Sequence, residues 1–115
     1  MVVRETRSRT EADTDSLWVR SALSQVDFLA ERLAIDADTR AMIEFAIRWA
    51  PFGGSSSGDL LVTFGVDRPR FMTLLQHGLR LRRVDDPEEL RLKRRLSEAL
   101  TAAWHGEGGS TQTRR

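Results

Sequence analysis

From about residue 15 to residue 104 apolar side chains recur every three or four positions, and no alternating run of β-branched residues is long enough for a strand. The pattern predicts an all-α domain of about five helices over residues 15–105, between polar stretches 1–14 and 106–115 that read as disordered tails. The first helix is expected to start at Asp13-Thr14-Asp15-Ser16, where side-chain oxygens can cap free amides, and to carry Val19, Ala22, Val26, Leu29 and Leu33 on one stripe. A second, central helix follows Asp36-Ala37-Asp38, with apolar residues around much of its circumference: Met42, Phe45, Ala46 and Trp49 on one face, Ile43, Ile47 and Ala50 on the next. Pro51 ends it, because proline lacks the amide and disfavours α geometry in the residue before it. Trp49 and Phe64 are expected to be buried.

The segment after Pro51 carries more specific punctuation. Gly53-Gly54 before Ser55-Ser56-Ser57 has neither a preceding strand nor a following Lys-Ser/Thr pair, so it reads as a turn with a serine cap and not as a phosphate loop. A short helix at about 58–64, with Leu60, Leu61 and Phe64, reaches Gly65, a residue able to take the left-handed conformation that ends helices. Val66 plugs the turn. Asp67 then caps a helix at about 67–77 that has Pro69 in its first turn, Phe71, Leu74 and Leu75 inward, and Gly78 closing it. Short helix, glycine-apolar-cap turn, second helix is the helix-turn-helix order. Arg68, Arg70, Thr73 and Gln76 lie off the apolar stripe near the start of the second helix, where side chains meet base edges in the major groove.

Phe64-Gly65-Val66-Asp67-Arg68 resembles the Phe-Gly-Val-Ser-Arg turn common in bacterial DNA-binding helix-turn-helix proteins. More widely, residues 42–75, about a third of the chain, resemble a small actinobacterial helix-turn-helix family. That family has an Ile-Leu-x-Phe-x-x-x-Trp-Trp helix, a loop glycine, and then Leu-Phe-Gly-Leu-Ser-x-x-Arg-Tyr-Tyr. Met42-Ile43-Glu44-Phe45, Trp49, Gly54, Leu60, Phe64-Gly65-Val66, Arg70-Phe71 and Leu75 match without a gap. Ala50 replaces the second tryptophan, Asp67 the serine and Phe71-Met72 the tyrosine pair, which implies a smaller aromatic cluster. The resemblance implies the fold and DNA binding, and no particular target sequence.

Beyond this motif, Arg80-Leu81-Arg82-Arg83 forms a basic run, with a short extended piece of a wing as its alternative reading. Asp86, Pro87 and Glu89 mark a strong helix start resembling a capping box. The last helix carries Leu92, Leu96, Ala99, Leu100, Ala103 and Trp104 on its buried face and Arg91, Lys93, Arg94 and Arg95 around the rest. Glu89 is placed to pair with Lys93, and Glu98 with Arg94 or Arg95.

Charge sharpens this picture. Residues 1–66 hold seven arginines against ten acids, whereas residues 67–95 hold nine Lys/Arg against five acids, within a formal net charge of +1. A cationic segment of this kind suits a polyanion, with Arg80, Arg82, Arg83 and Arg94 as candidate contacts to the DNA backbone. The absence of cysteine removes disulfide, thiolate-metal and cysteine-nucleophile chemistry and agrees with a cytoplasmic setting. No secretory leader pattern or membrane-length apolar run is present. His77 and His105 stand in no metal-ligand or acid-base spacing, so neither an enzyme nor a cofactor is expected. The Val19–Leu33 stripe can pack on the rest of the domain or on a second copy of itself, and packing within the chain is the favoured use. The expected function is a DNA-binding transcriptional regulator acting on double-stranded DNA, as a homodimer whose candidate surfaces are that stripe and the exposed side of the last helix near Trp104. The alternative is a non-catalytic α-helical protein-protein interaction module acting on the transcription machinery.

Overall fold

The computed structural model describes the backbone of residues 2–112 and the side chains of residues 15–104. Among the described residues five α-helices follow one another: α1 Val2–Glu31, α2 Ala37–Trp49, α3 Ser57–Phe64, α4 Arg68–Gly78 and α5 Pro87–Gln112, with a 3₁₀ turn at Ala50–Phe52 after α2. No strand occurs among the described residues, and Arg80–Arg82 lacks regular structure, so the wing-strand alternative does not hold. The expected tails 1–14 and 106–115 lie outside the residues whose side chains are described. α1 runs through the Asp13–Ser16 cluster instead of starting there.

α1 stops two residues before the expected stripe ends. Leu33 takes φ 58°; its amide donates to Ala30 O at 3.0 Å and the Ala34 amide to Leu29 O at 2.9 Å. This pair of bonds is a Schellman cap with leucine where glycine is usual, and buried Ala34 and Leu29 supply its apolar contact. Ala22, Val26 and Leu29 are fully buried while Leu33 is 80% exposed. The stripe therefore closes the core of a single chain and is not a free dimer seam.

The core joins Ala22, Val26 and Leu29 of α1 to Ile43, Ala46 and Ile47 of α2, Leu60 of α3, Phe71 and Leu75 of α4, and Leu92, Leu96, Leu100 and Trp104 of α5. Trp104 is 1% exposed, and its indole Nε1–H donates to Ala46 O at 3.0 Å. A relay of rings links Trp104 to Phe71 (5.0 Å between centroids), Phe71 to Phe45 (5.9 Å), Phe45 to Trp49 (6.1 Å) and Trp49 to Phe52 (5.7 Å), with Phe64 edge-on to Phe45. The cluster is larger than the departures from the family pattern implied, because Trp104 and Phe52 join it. Its outer end is open to water: Trp49, expected inside, is 36% exposed and Phe52 72%. Phe64 is only partly buried.

Helix ends are set by local chemistry. Ser56 Oγ accepts from the Asp59 amide at 3.1 Å, and Gly65 closes α3 at φ 74° with its amide on Leu60 O and Leu61 O. Gly78 plays a different part from the helix stop expected of it. The cap of α4 is Leu79, and a Cβ on Gly78 would stand 2.2 Å from Thr39 Cγ2, so the missing side chain lets α4 approach the first turn of α2.

Candidate nucleic-acid interface

α3 and α4 are joined by Gly65-Val66-Asp67, and Asp67 Oδ1 accepts from the Arg70 amide at 3.0 Å, capping α4 as the sequence suggested. Phe71 and Leu75 point inward, while Arg70, Thr73, Gln76 and His77 are exposed. At about 100° per residue these four occupy an arc of about 120° on α4. Thr73 Oγ1 donates back to Pro69 O at 3.1 Å, and Gln76 Nε2 lies at the long limit of a hydrogen bond, 3.5 Å, from Thr101 Oγ1. Arg70 offers its guanidinium outward from the first turn.

Arg68 does not belong to this face. Its Nη1 donates to Ser55 O at 3.1 Å and its Nη2 to Gly53 O at 2.9 Å and to Trp104 O, while the guanidinium lies 5.0 Å above the Trp104 ring. With its backbone amide on Ser57 Oγ at 3.0 Å, the residue ties the start of α4 to the glycine loop and to α5. Three carbonyl acceptors and an aromatic face leave this guanidinium committed inside the fold, and its expected role at base edges is revised to that of a strut.

The basic run beyond α4 divides in the same way. Arg80 is exposed, with Nη1 on His77 O at 2.8 Å, and Arg83 and Arg94 are exposed as well. Arg82 instead turns in: Nη2 donates to Leu33 O at 2.8 Å, Nε lies 3.4 Å from Asp85 Oδ1, and its amide donates to Asp85 Oδ2 at 2.9 Å. Its expected place on the DNA backbone is thereby withdrawn. Lys93, expected on the outer face, is completely buried, and Nζ donates to Asp85 Oδ2 at 2.7 Å and to Arg80 O at 3.1 Å. Burial pushes the Asp85 carboxyl up, but hydrogen bonds from Lys93 and the Arg82 amide outweigh it and hold the group below the ordinary aspartate range.

Glu89 therefore does not pair with Lys93. It completes the capping box, with Asp86 N–H on Glu89 Oε1 and Glu89 N–H on Asp86 Oδ1, both at 2.9 Å. Arg32 reaches across to both acids, at 2.7 Å to Glu89 and 2.5 Å to Asp86. Among the described residues Glu98 makes no ion pair with Arg94 or Arg95, whereas Arg91 pairs with Glu88. A signal for Lys93 exists in the sequence. At about 100° per residue its position falls between Leu100 and Trp104, inside the apolar stripe of α5.

The serine run is structural: Ser56 caps α3, Ser57 Oγ receives the Arg68 amide, and Ser55 Oγ lies 3.4 Å from Asp59 Oδ2. Among the described residues no group of three or more His, Asp and Glu could hold a metal ion, and no helix is long and apolar enough to cross a membrane. His105 lies outside the residues whose side chains are described. No protein-family model, curated protein or solved structure matches the chain.

Proposed function

We propose that the chain is a DNA-binding transcriptional regulator in which α3, the Gly65-Val66-Asp67 turn and α4 form a helix-turn-helix and α4 enters the major groove. The observation that carries this reading is the solvent-facing arc of Arg70, Thr73 and Gln76 on a helix held by its opposite face and by the Arg68 strut. Arg70 has the donor geometry for a guanine edge and Gln76 for an adenine edge. Arg80, Arg83 and Arg94 supply sequence-independent contacts to phosphate. The resemblance of residues 42–75 to the actinobacterial helix-turn-helix family supports the same assignment. Pairing of two chains on half-sites of double-stranded DNA is part of this reading, since one helix of four polar side chains offers little readout alone.

Selection of binding sites from a random DNA pool, followed by Arg70→Ala on the enriched site, tests the proposal. The substitution is expected to cost about 1–3 kcal/mol and to relax preference at one base position. An unenriched pool would remove the reading. A second reading, an interaction module for a transcription-machinery protein, draws on the exposed Trp49–Phe52 pair and on Val62, 88% exposed on α3. It expects Trp49→Ala and Phe52→Ala to weaken a protein complex while leaving DNA binding unchanged.

A further inference from the structure

A buried ion pair is a poor way to stabilise a core, since well-packed apolar residues of similar volume do at least as well. Lys93 and Asp85, with side chains 0% and 1% exposed, therefore call for an account other than stability. Their bonds all converge on one short segment. Lys93 holds the Arg80 carbonyl, Asp85 holds the Arg82 amide, and Arg82 reaches on to the Leu33 carbonyl at the end of α1. The Asp85 amide closes a four-residue turn on Arg82 O at 3.0 Å, which places Arg83 and Val84 at its centre.

The same bonds sort the charges of residues 79–86. Both acids face cations of the fold, Asp85 with Lys93 and Arg82, Asp86 with Arg32. The surface left outward is Arg80, Leu81 (46% exposed), Arg83 and Val84 (82% exposed). Two exposed guanidinium groups on one turn suit a run of phosphates, whose charge Lys and Arg side chains neutralise. The tip follows directly from the carboxy-terminal end of α4, and Arg80 Nη1 stands on His77 O at 2.8 Å, next to Gln76 and His77 of the exposed arc.

The geometry points to Lys93 and Asp85 as positioning residues: the buried pair preforms the 79–86 turn as a rigid second contact, which lays Arg80 and Arg83 on the phosphate strand beside the groove read by α4. This rests on the DNA-binding reading and adds to it that affinity from the tip is separable from base selection by α4. Neither residue touches DNA; both act through the turn. The partner is duplex phosphate, and an acidic protein surface at this tip is the competing outcome.

The test uses the full chain on its selected site across a salt series, with hydroxyl-radical footprinting. Arg83→Ala is expected to lower the salt slope by about one unit and erase protection on one flank, with the selected motif unchanged. The double variant Lys93→Met with Asp85→Asn, which removes both charges together, is expected to lower the slope by about two units. Adding Arg83→Ala to it should cost nothing further, because the arginine has already lost its position, whereas Arg70→Ala should remain additive. In the wild-type protein, backbone order parameters over 80–84 are expected near about 0.85, as in a helix. An unchanged slope in Arg83→Ala, full additivity with the double variant, or order parameters under about 0.6 in the wild type overturns the inference while leaving a motif that depends on Arg70. Should the double variant not fold, Arg83→Ala and the wild-type order parameters decide. A tip that binds acidic peptide and not DNA overturns the inference alone, and a wild-type chain that selects no DNA motif overturns both.

Discussion

At the scale of single residues, backbone strain and side-chain burial carry opposite energetic signs. Leu33 sits in left-handed backbone with its side chain in water, so the strain of that conformation is offset by no packing. Glycine removes the strain but enlarges the unfolded ensemble, which leaves a net gain of about 0.5 kcal/mol. Leu33→Gly is expected to raise the melting temperature by about 2–4 °C in thermal unfolding, and a decrease would show that the side chain does more than the backbone reveals. Tryptophans separate by burial in the same way. Trp104 is enclosed and hydrogen-bonded to Ala46 O, so Trp104→Ala is expected to cost about 3–5 kcal/mol in denaturant melts. Trp49→Ala, at the open end of the ring relay, is expected to cost less than about 2 kcal/mol. Equal losses would contradict that ordering. Tryptophan at a helical apolar spacing was readable as core in both cases. What the spacing lacked was the edge of the core: Ile47 and Ala50 on the neighbouring face are buried, while Trp49 lies at the boundary with Phe52 beyond it in water.

At the scale of elements, signals confined to a few neighbouring residues were legible and those needing a distant partner were not. The Ser56 and Asp67 caps, the left-handed Gly65 and the Asp86–Glu89 box all lie within one helical turn of their partners, and each occurs where the sequence suggested. Arg68 looked like a helix-start cation because its acceptors are remote: Gly53, Ser55 and Trp104. Lys93 looked like a surface lysine because charge was weighed above its place on the α5 wheel. The buried pair it makes gives the α4–α5 connection a pH dependence of definite sign. Asp85 is depressed in the folded chain relative to an unfolded aspartate, as is Asp86, chiefly through the Glu89 amide. Such groups contribute stability that is fully present above the unfolded aspartate value of about 3.9 and is lost as pH falls through the lower folded value. The Arg32–Asp86 pair is solvent-exposed and screened, so Asp85 dominates this loss. Melting temperature is expected to be level from about pH 5 to 7 and to fall below about pH 4, with a shallower acid limb in Lys93→Met/Asp85→Asn. An acid limb unaltered by that double substitution would place the titration elsewhere.

At the scale of the whole molecule, the apolar surface of α1 decides what assembly is open to the chain. Sequence alone leaves two uses for a four-turn stripe, packing within one chain or pairing with a second copy, and no local signal separates them. The fold commits Ala22, Val26 and Leu29 to α2 and α5, so any second copy must dock on another face. A carboxylate introduced on this stripe distinguishes the two cases. On a dimer seam it would split the dimer and leave a folded monomer. In the core it must be desolvated without a partner, a penalty comparable to the entire stability of a small domain. Val26→Asp is accordingly expected to abolish the cooperative thermal transition and most helical circular dichroism, since Val26 is 0% exposed in the single chain. The exposed control Leu17→Asp, on the same helix and 65% exposed, should leave the transition within a few degrees of wild type. A Val26→Asp protein that sediments as a well-folded monomer would mean that α1 is held by a partner chain and not by α2 and α5.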